Sequence, residues 1–547
     1  MTERPWLKLY PQDLPRSIEP DFNNMLALFA DSVLRRADDV AILYFDGALT
    51  YRELDTRSSA LAVGLIERGF EPGDRIALYT QNNPAFVVGL LAAWKVGGVA
   101  VLINPMNKAR ELRYLLEDSG AVALLCLDTL YDSVAHHVID AGSTAVRDVL
   151  ITSAREDQTR NDSRVINDTM AFEIAGTRRL AAVIADHRGS SPPPIAAAPG
   201  SAAALTYTSG TTGVPKGAIN THASLAFNSQ TYRDWMKLGQ DDVVLGIAPL
   251  FHITGLVGHV CLSLLLGCRL VLMHRFEGSV VLDAIREHRP TFTVGAITAF
   301  NNIAGQPGAV KDDFTSLRTV YSGGAPVSPH LRDDIYSRTG MNIHNIYGMT
   351  ETSSPTHGVP LGVSAPVDPS TGALSIGVPM FNTDARVVDD DGSELPHGQI
   401  GELLISGPQV TPGYWNKPEQ TAEKLVAGEL YTGDVGLMDD DGWFYLVDRK
   451  SDMIIASGYK VWPREVEDVL SGHPAVREAA VVGVTDDYRG ETVKAVVSLR
   501  PGQSVTSDEL IAFCKGQLAA YKYPRLIELV DDLPHNAAGK VMRRELR

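Results

Sequence analysis

Apolar residues recur near helical spacing at Met25, Leu26, Leu28, Phe29, Val33 and Leu34, which predicts an amphipathic helix early in the chain. The run Ala41-Ile-Leu-Tyr-Phe45 reads as a strand and Asp46-Gly47 as a turn. Thr50-Tyr-Arg-Glu53 has capping-box spacing ahead of a helix to about Gly69. Strands at 74–79, 99–103 and 121–127 then alternate with helices at 84–95 and 107–118. This alternation predicts an α/β layer, doubly wound around a mostly parallel sheet.

From about Ser153 to Ser201 the alternation stops. Polar residues lead, and Ser190-Ser-Pro-Pro-Pro194 with an Ala/Pro tail closes the stretch, so a long surface excursion is expected. Strand–helix alternation resumes with strands at 242–248, 269–273, 292–295, 318–321 and 342–346, and helices at 280–287 and 328–339. Beyond Gly377 short strands and turns predict a small β subdomain. From about Ser451 a compact α+β piece is expected. Its helices fall at 463–470 and 507–518, its strands at 479–484, 493–499 and 526–530, and its loop-like tail carries Lys540. The expected division is therefore 1–450 and 451–547.

Length and charge narrow the function. A chain of 547 residues exceeds one compact core. A net charge of −17 argues against a nucleic-acid surface as the main business. Cys126, Cys261, Cys268 and Cys514 form no Cys-x-x-Cys pair and no zinc spacing with His, so four buried reduced thiols are expected. The longest apolar run, 256–273, contains His259, Ser263 and Arg269, and a buried strand–helix stretch is expected there rather than a membrane span. The first residues lack a signal-peptide core and the last are Glu-Leu-Arg, so a cytoplasmic location is expected.

The candidate chemistry centres on Tyr207-Thr-Ser-Gly-Thr-Thr-Gly-Val-Pro-Lys-Gly217. Hydroxyls, open backbone N–H groups and one ammonium suit an oligophosphate. The pattern is not a Walker A loop, because Gly217 follows Lys216 where a hydroxyl is required. The apolar run 202–207 before it reads as a strand, and the residues from Ala218 on have helix-compatible spacing. The loop is therefore expected to join a strand to a later helix. Ser322-Gly-Gly-Ala-Pro326 and Tyr347-Gly-Met-Thr-Glu351 follow two further strand ends. Loops at strand carboxyl ends in an open α/β sheet are expected to share one site.

These segments, with Tyr431-Thr-Gly-Asp434, Asp448-Arg449, Gly458-Tyr-Lys460 and Gly539-Lys540 following in order, resemble the acyl-adenylate-forming superfamily over nearly the whole chain. Trp6-Leu-Lys-Leu-Tyr10, Asn104-Pro105 and Val447-Asp-Arg-Lys-Ser-Asp-Met-Ile-Ile455 are most similar to its bacterial fatty-acyl-CoA ligases. The resemblance implies an enzyme in which a carboxylate attacks the α-phosphate of ATP, pyrophosphate leaves, and the acyl-adenylate is then attacked by the thiol of coenzyme A.

It also implies roles. Thr208, Ser209, Gly210, Thr211, Thr212, Gly213 and Lys216 would wrap the β- and γ-phosphates. Glu351 would hold Mg²⁺ with Thr208 as helper, and Thr350 would contact the α-phosphate. Gly323, Gly324, Ala325 and Pro326, with Tyr347, Gly348 and Met349, would form the adenine slot. Asp434 would accept from the ribose hydroxyls, and Arg449 would reach ribose or phosphate. Lys540 would enter for adenylation, and Gly458, Tyr459 and Lys460 would line the pantetheine path after a rotation of the C-terminal domain. The hinge position falls on Ser451, where the family usually has Asp or Lys.

In the peptide-synthetase adenylation domains of the family the segment matching Phe251 to Leu256 holds the substrate amine with an acidic residue; this sequence has none there, so the resemblance disfavours a free amino acid as substrate. His252 resembles the gate beside the acyl carboxylate, with a packed core histidine as the alternative. Val294 to Phe300 resembles an acyl-pocket wall, apolar apart from Thr298, and suits a fatty chain or an aryl ring alike. The expected partners are small molecules: a carboxylic acid, ATP and coenzyme A. Transfer to a carrier-protein phosphopantetheine and a non-catalytic nucleotide-binding relative are the competing readings. Loose membrane association and a homodimer stay open.

Overall fold

The computed structural model describes residues 4–166, 174–208, 214–325, 327–456, 459–486, 490–536 and 540–547, without the side chains of Ser451 and Lys460. Two sheets form the large part of the chain. One has seven strands, in the order Arg178–Arg179, Asp148–Thr152, Ala123–Leu127, Arg75–Tyr79, Val99–Leu102, Ala202–Thr208 and Lys216–Thr221. The other has nine, and at its centre Ile343–Met349, Thr319–Ser322, Phe292–Gly295, Val243–Leu245 and Arg269–Leu272 run parallel. Strands such as Thr319–Ser322 and Phe292–Gly295 are buried throughout, as parallel strands covered on both faces must be. The expected α/β class and most expected elements are present.

Local signals act as anticipated at several points. Thr50 N–H donates to Glu53 Oε2 at 2.8 Å and Glu53 N–H to Thr50 Oγ1 at 3.2 Å, a reciprocal cap on the helix Tyr51–Ile66. The helix Pro84–Lys95 starts and stops where the sequence places it. All four cysteines are buried and free. Among the described residues no helix is long and apolar enough to cross a membrane.

Two expectations are corrected. The phosphate-loop candidate does not lead into a helix. It closes a hairpin, with Thr208 paired to Lys216 and Tyr207 to Gly217, and the helix His222–Trp235 begins only after the second strand. Pairing with Ala202–Thr208 satisfies the backbone of residues 216–221 in extended form, which overrides their helix-compatible spacing. The excursion at 153–201 is not all loop: it contributes the edge strand Arg178–Arg179 and the helix Leu180–Asp186, which packs on Tyr51–Ile66.

A five-stranded antiparallel sheet follows, built from Asp384–Val388, Gly401–Ser406, Glu429–Met438, Leu425–Val426 and Phe444–Arg449. The C-terminal piece has its own five-stranded sheet, in which Gly490–Leu499 lies between Val476–Asp486 and the parallel strand Leu526–Val530. Helices Pro463–Ser471 and Ser507–Lys515 pack against it around a separate small core that includes Val466, Leu470, Val481, Val497 and Leu510. A large N-terminal part and a small C-terminal part are thus each organised around their own sheets.

Candidate functional site

Three neighbouring parallel strands deliver three of the candidate segments to one edge. Gly295 is in register with Ser322, and Ser322 with Asn345. The apolar wall after Gly295, the glycine loop after Ser322 and the Tyr347 segment therefore leave the sheet side by side, where α/β sheets bind ligands. Gly323 sits so close to the next strand that a Cβ there would lie 2.6 Å from the Ile346 carbonyl oxygen, and Gly324 has φ +78°. Both positions demand glycine, Gly323 because the Ile346 backbone packs against it and Gly324 because of its left-handed backbone, so the loop leaves its strand tight against the Tyr347 segment.

The phosphate-loop hairpin is stitched to the Glu351 turn. Buried Asn220, on the second strand, donates through Nδ2 to the Thr350 carbonyl at 3.0 Å and to Ser353 Oγ at 3.1 Å. Its Oδ1 accepts from Thr206 Oγ1 at 2.8 Å, back across the hairpin. Outside, Asp118 accepts from Tyr207 Oη at 2.8 Å and from Lys417 Nζ at 2.5 Å, and Tyr114 Oη donates to the Pro215 carbonyl at 2.9 Å. The loop's two stems are thereby fixed.

Tyr414 joins the two functional ends. Its hydroxyl donates to Glu351 Oε1 at 2.7 Å, while Lys216 Nζ lies 5.2 Å from its ring centroid. Thr411 N–H also donates to the Glu351 carbonyl at 2.7 Å. Glu351 is 7% exposed, and its second carboxylate oxygen has no partner among the described residues. A buried carboxylate oriented through one oxygen, beside a lysine-bearing hairpin, is a donor that suits a hard divalent cation.

Asp434 and Arg449 face each other across adjacent antiparallel strands, with Nε and Oδ1 3.2 Å apart. The other carboxylate oxygen of Asp434 accepts from Tyr347 Oη at 2.7 Å. The same tyrosine packs edge-on against His357, ring centroids 5.7 Å apart. The pair is held rigidly before any ligand arrives, which favours it as a fixed hydrogen-bond partner.

Lys540 reaches this cleft from the C-terminal piece. Burial, and then the neighbouring Arg449 cation, bring its ammonium down to about 8, against the upward pull of Asp434. His252 caps the turn Ile253–Gly255 by accepting from Thr254 N–H at 3.4 Å. Burial, with Lys540 nearby, lowers its imidazole to about 4, so it is neutral near pH 7. One cleft thus collects His252, Asp434, Arg449 and Lys540, with Tyr347 on the Asp434 carboxylate.

Ser209, Gly210, Thr211, Thr212, Gly213, Pro326 and Gly458, and the side chains of Lys460 and Ser451, lie outside the described residues. Thr208, Gly348, Met349 and Ala325 are described and lie on or next to the elements above. Tyr459 is not in the cleft: it is 58% exposed and its ring stacks on Tyr521 at 4.7 Å. Tyr414, Asp118, Asn220 and Arg543 were not singled out from the sequence. The Pro412-Gly-Tyr-Trp415 turn was the one local signal available for Tyr414.

A family model described as "AMP-binding enzyme" matches residues 29–415, and one described as "AMP-binding enzyme C-terminal domain" matches residues 465–540. The long-chain-fatty-acid–CoA ligase of Bacillus subtilis (strain 168) is 35% identical over 574 aligned positions, covering 100% of this chain and 98% of its own. A feruloyl-CoA synthase of Amycolatopsis sp is 37% identical, covering 93% of this chain and 95% of its own. Among solved structures, the anthranilate CoA ligase AuaEII in complex with anthranoyl-AMP superposes with a TM-score of 0.85 at 26% identity, covering 98% of both chains.

Proposed function

Because this chain belongs to the AMP-binding enzyme family, we propose the following assignment of its chemistry to its residues. The activity is that of an AMP-forming acid–CoA ligase, and its substrates are a carboxylic acid, ATP and coenzyme A. Residues 1–450 bind acid and ATP, and residues 451–547 supply Lys540 and the surface that meets coenzyme A. The single observation that carries this reading is Lys540 lying in the cleft of the Asp434–Arg449 pair, having come from a separately cored piece of the chain.

The first step builds negative charge around the α-phosphate and the departing pyrophosphate, so catalysis is mainly positioning and charge compensation. Lys216, with the hydroxyls and N–H groups of residues 208–213, grips the leaving pyrophosphate. Asp434 accepts from the ribose hydroxyls while Arg449 balances its charge. The Gly323–Gly324 slot and Tyr347 receive the adenine. Glu351, aided by Thr208, would hold Mg²⁺, which would supply charge neutralisation to the polyphosphate. Thr350 orients the α-phosphate. Lys540 donates to the oxygens that gain charge as the carboxylate attacks. Neutral His252 stands between acyl carboxylate and nucleotide as a packing and hydrogen-bonding gate, and Val294 to Phe300 walls an apolar acyl site. In the second step the coenzyme A thiol adds to the acyl carbonyl, the bond to AMP breaks, and AMP leaves with the adenylate's oxygen.

The acid is a medium- or long-chain fatty acid, or an aryl acid. The apolar wall supports both, as do relatives named for long-chain fatty acids and for ferulate. Purified protein with ATP, Mg²⁺ and a panel of both acid classes, scored for pyrophosphate with and without coenzyme A, tests this. Acyl-CoA with AMP is expected. Pyrophosphate without acyl-CoA would instead favour a carrier-protein acceptor.

The Lys540 ammonium gives a pH prediction. With its pKa lowered to about 8 it carries its proton below that pH and loses it above. The kcat/KM for adenylate formation should therefore be flat between neutrality and about 8 and then fall along one deprotonation limb. Lys540→Arg, which stays charged, should remove that limb. A limb unchanged in Lys540→Arg would assign it to another group.

A further inference from the structure

Three residues beyond Lys540 the chain turns back inward. Arg543 starts the short turn Arg543–Glu545, and its guanidinium is enclosed by three carboxylates. Nη1 donates to Asp448 Oδ1 at 3.1 Å and to Asp452 Oδ2 at 3.0 Å, and Nη2 to Glu467 Oε2 at 2.8 Å. The three acids come from three places. Asp448 is the next-to-last residue of the strand Phe444–Arg449 of the antiparallel sheet, Asp452 lies in the connecting turn Lys450–Asp452, and Glu467 is on the helix Pro463–Ser471 of the C-terminal piece.

Asp448 is the common anchor. Its Oδ1 also accepts from Arg449 N–H at 2.8 Å, and its Oδ2 from Arg464 N–H at 3.0 Å. Arg464 in turn donates to the Leu446 carbonyl at 3.0 Å and to the Val327 carbonyl, just past the adenine-slot loop, at 3.4 Å. Glu467 is held from its own side by Val481 N–H at 2.8 Å. The carboxylate that grips Arg543 therefore sits next in sequence to Arg449, the residue paired with Asp434. The outgoing arm of the Lys540 loop is pinned separately: His535 bonds Glu478 at 2.8 Å, and Asn536 N–H donates to the Lys540 carbonyl at 2.8 Å.

Burying a guanidinium among carboxylates brings little net stability compared with apolar packing, but it fixes geometry. Here the geometry fixed is that of Lys540 relative to the nucleotide cleft. We propose that Arg543 is a positioning residue for adenylate formation, holding Lys540 beside the Asp434–Arg449 pair by tying its loop to Asp448, Asp452 and Glu467. The proposal rests on the reading of Lys540 as the adenylation lysine. It assigns Arg543 no contact with substrate.

The test uses the full chain with Arg543→Met, Arg543→Lys and Asp448→Asn. Pyrophosphate exchange reports adenylate formation, and thioester formation from supplied acyl-adenylate and coenzyme A reports the second step. Arg543→Met should lower the kcat of exchange about 100-fold, the loss typical of a displaced catalytic group, with the KM for ATP within about threefold. Thioester formation should stay within about threefold, and Arg543→Lys should recover at least about tenfold of the exchange rate. Circular dichroism and thermal melting check the fold. If Arg543→Met does not fold, Asp448→Asn carries the same expectation from the other side of the contact. Equal loss in both half-reactions, or undiminished exchange, overturns the proposal. Absence of exchange in the unaltered chain overturns the parent reading, and this one with it.

Discussion

Lys540→Ala should lower adenylate formation by about 10²–10³-fold, the cost of removing one preorganised charge donor from a developing oxyanion. Burial and the neighbouring Arg449 weaken the ammonium's hold on its proton in the cleft. An ammonium placed there at a cost is stabilised when phosphate charge arrives, so it favours the transition state over the resting protein. Lys540 hydrogen-bonds through its backbone, whose N–H donates to Asn536 Oδ1 at 2.9 Å and whose carbonyl accepts from Asn536 N–H at 2.8 Å, and alanine keeps both, so the substitution should leave folding within about 0.5 kcal/mol. Thioester formation from supplied acyl-adenylate should change less than about threefold, because that step moves no phosphoryl group. Pyrophosphate exchange and a direct thioester assay on one preparation measure both. Equal loss of the two would remove Lys540 from the first step.

The legible parts of the molecule are those whose causes are local. The capping box at Thr50–Glu53 is four adjacent residues whose donors and acceptors meet by helix geometry alone. The strand–loop junctions at Ser322 and Tyr347 announce themselves through buried runs ending in glycine. What stayed hidden depends on pairing across distance. Lys216–Thr221 is extended only because Ala202–Thr208 offers it a ladder. Tyr414 meets Glu351 across 63 positions, and Tyr207 meets Asp118 across 89, so neither partner can be read from the residues around the tyrosine. Arg543 stands in the loop-like tail, and its three acidic partners are spread from 448 to 467. The resemblance named the groups that would touch ligand. It gave no account of the groups that hold them.

Glu351→Gln should reduce adenylate formation by about 100-fold or more, through loss of a charge that a metal-bridged polyphosphate needs. The substitution is nearly isosteric and keeps an oxygen for the Tyr414 hydroxyl, which now lies 2.7 Å from Oε1, so the turn Thr350–Thr352 should hold its shape. The amide removes the negative charge from the oxygen left over for a cation. Magnesium dependence separates this from a packing defect. The midpoint of the Mg²⁺ titration of pyrophosphate exchange should move to higher concentration, and excess Mg²⁺ should restore part of the rate, since affinity and not geometry has been weakened. Tyr414→Phe should give a smaller loss in the same titration, because it frees Glu351 without neutralising it and leaves the ring beside Lys216. A Glu351→Gln protein with an unshifted Mg²⁺ midpoint would move the metal to other ligands and leave Glu351 as an anchor for Tyr414 alone.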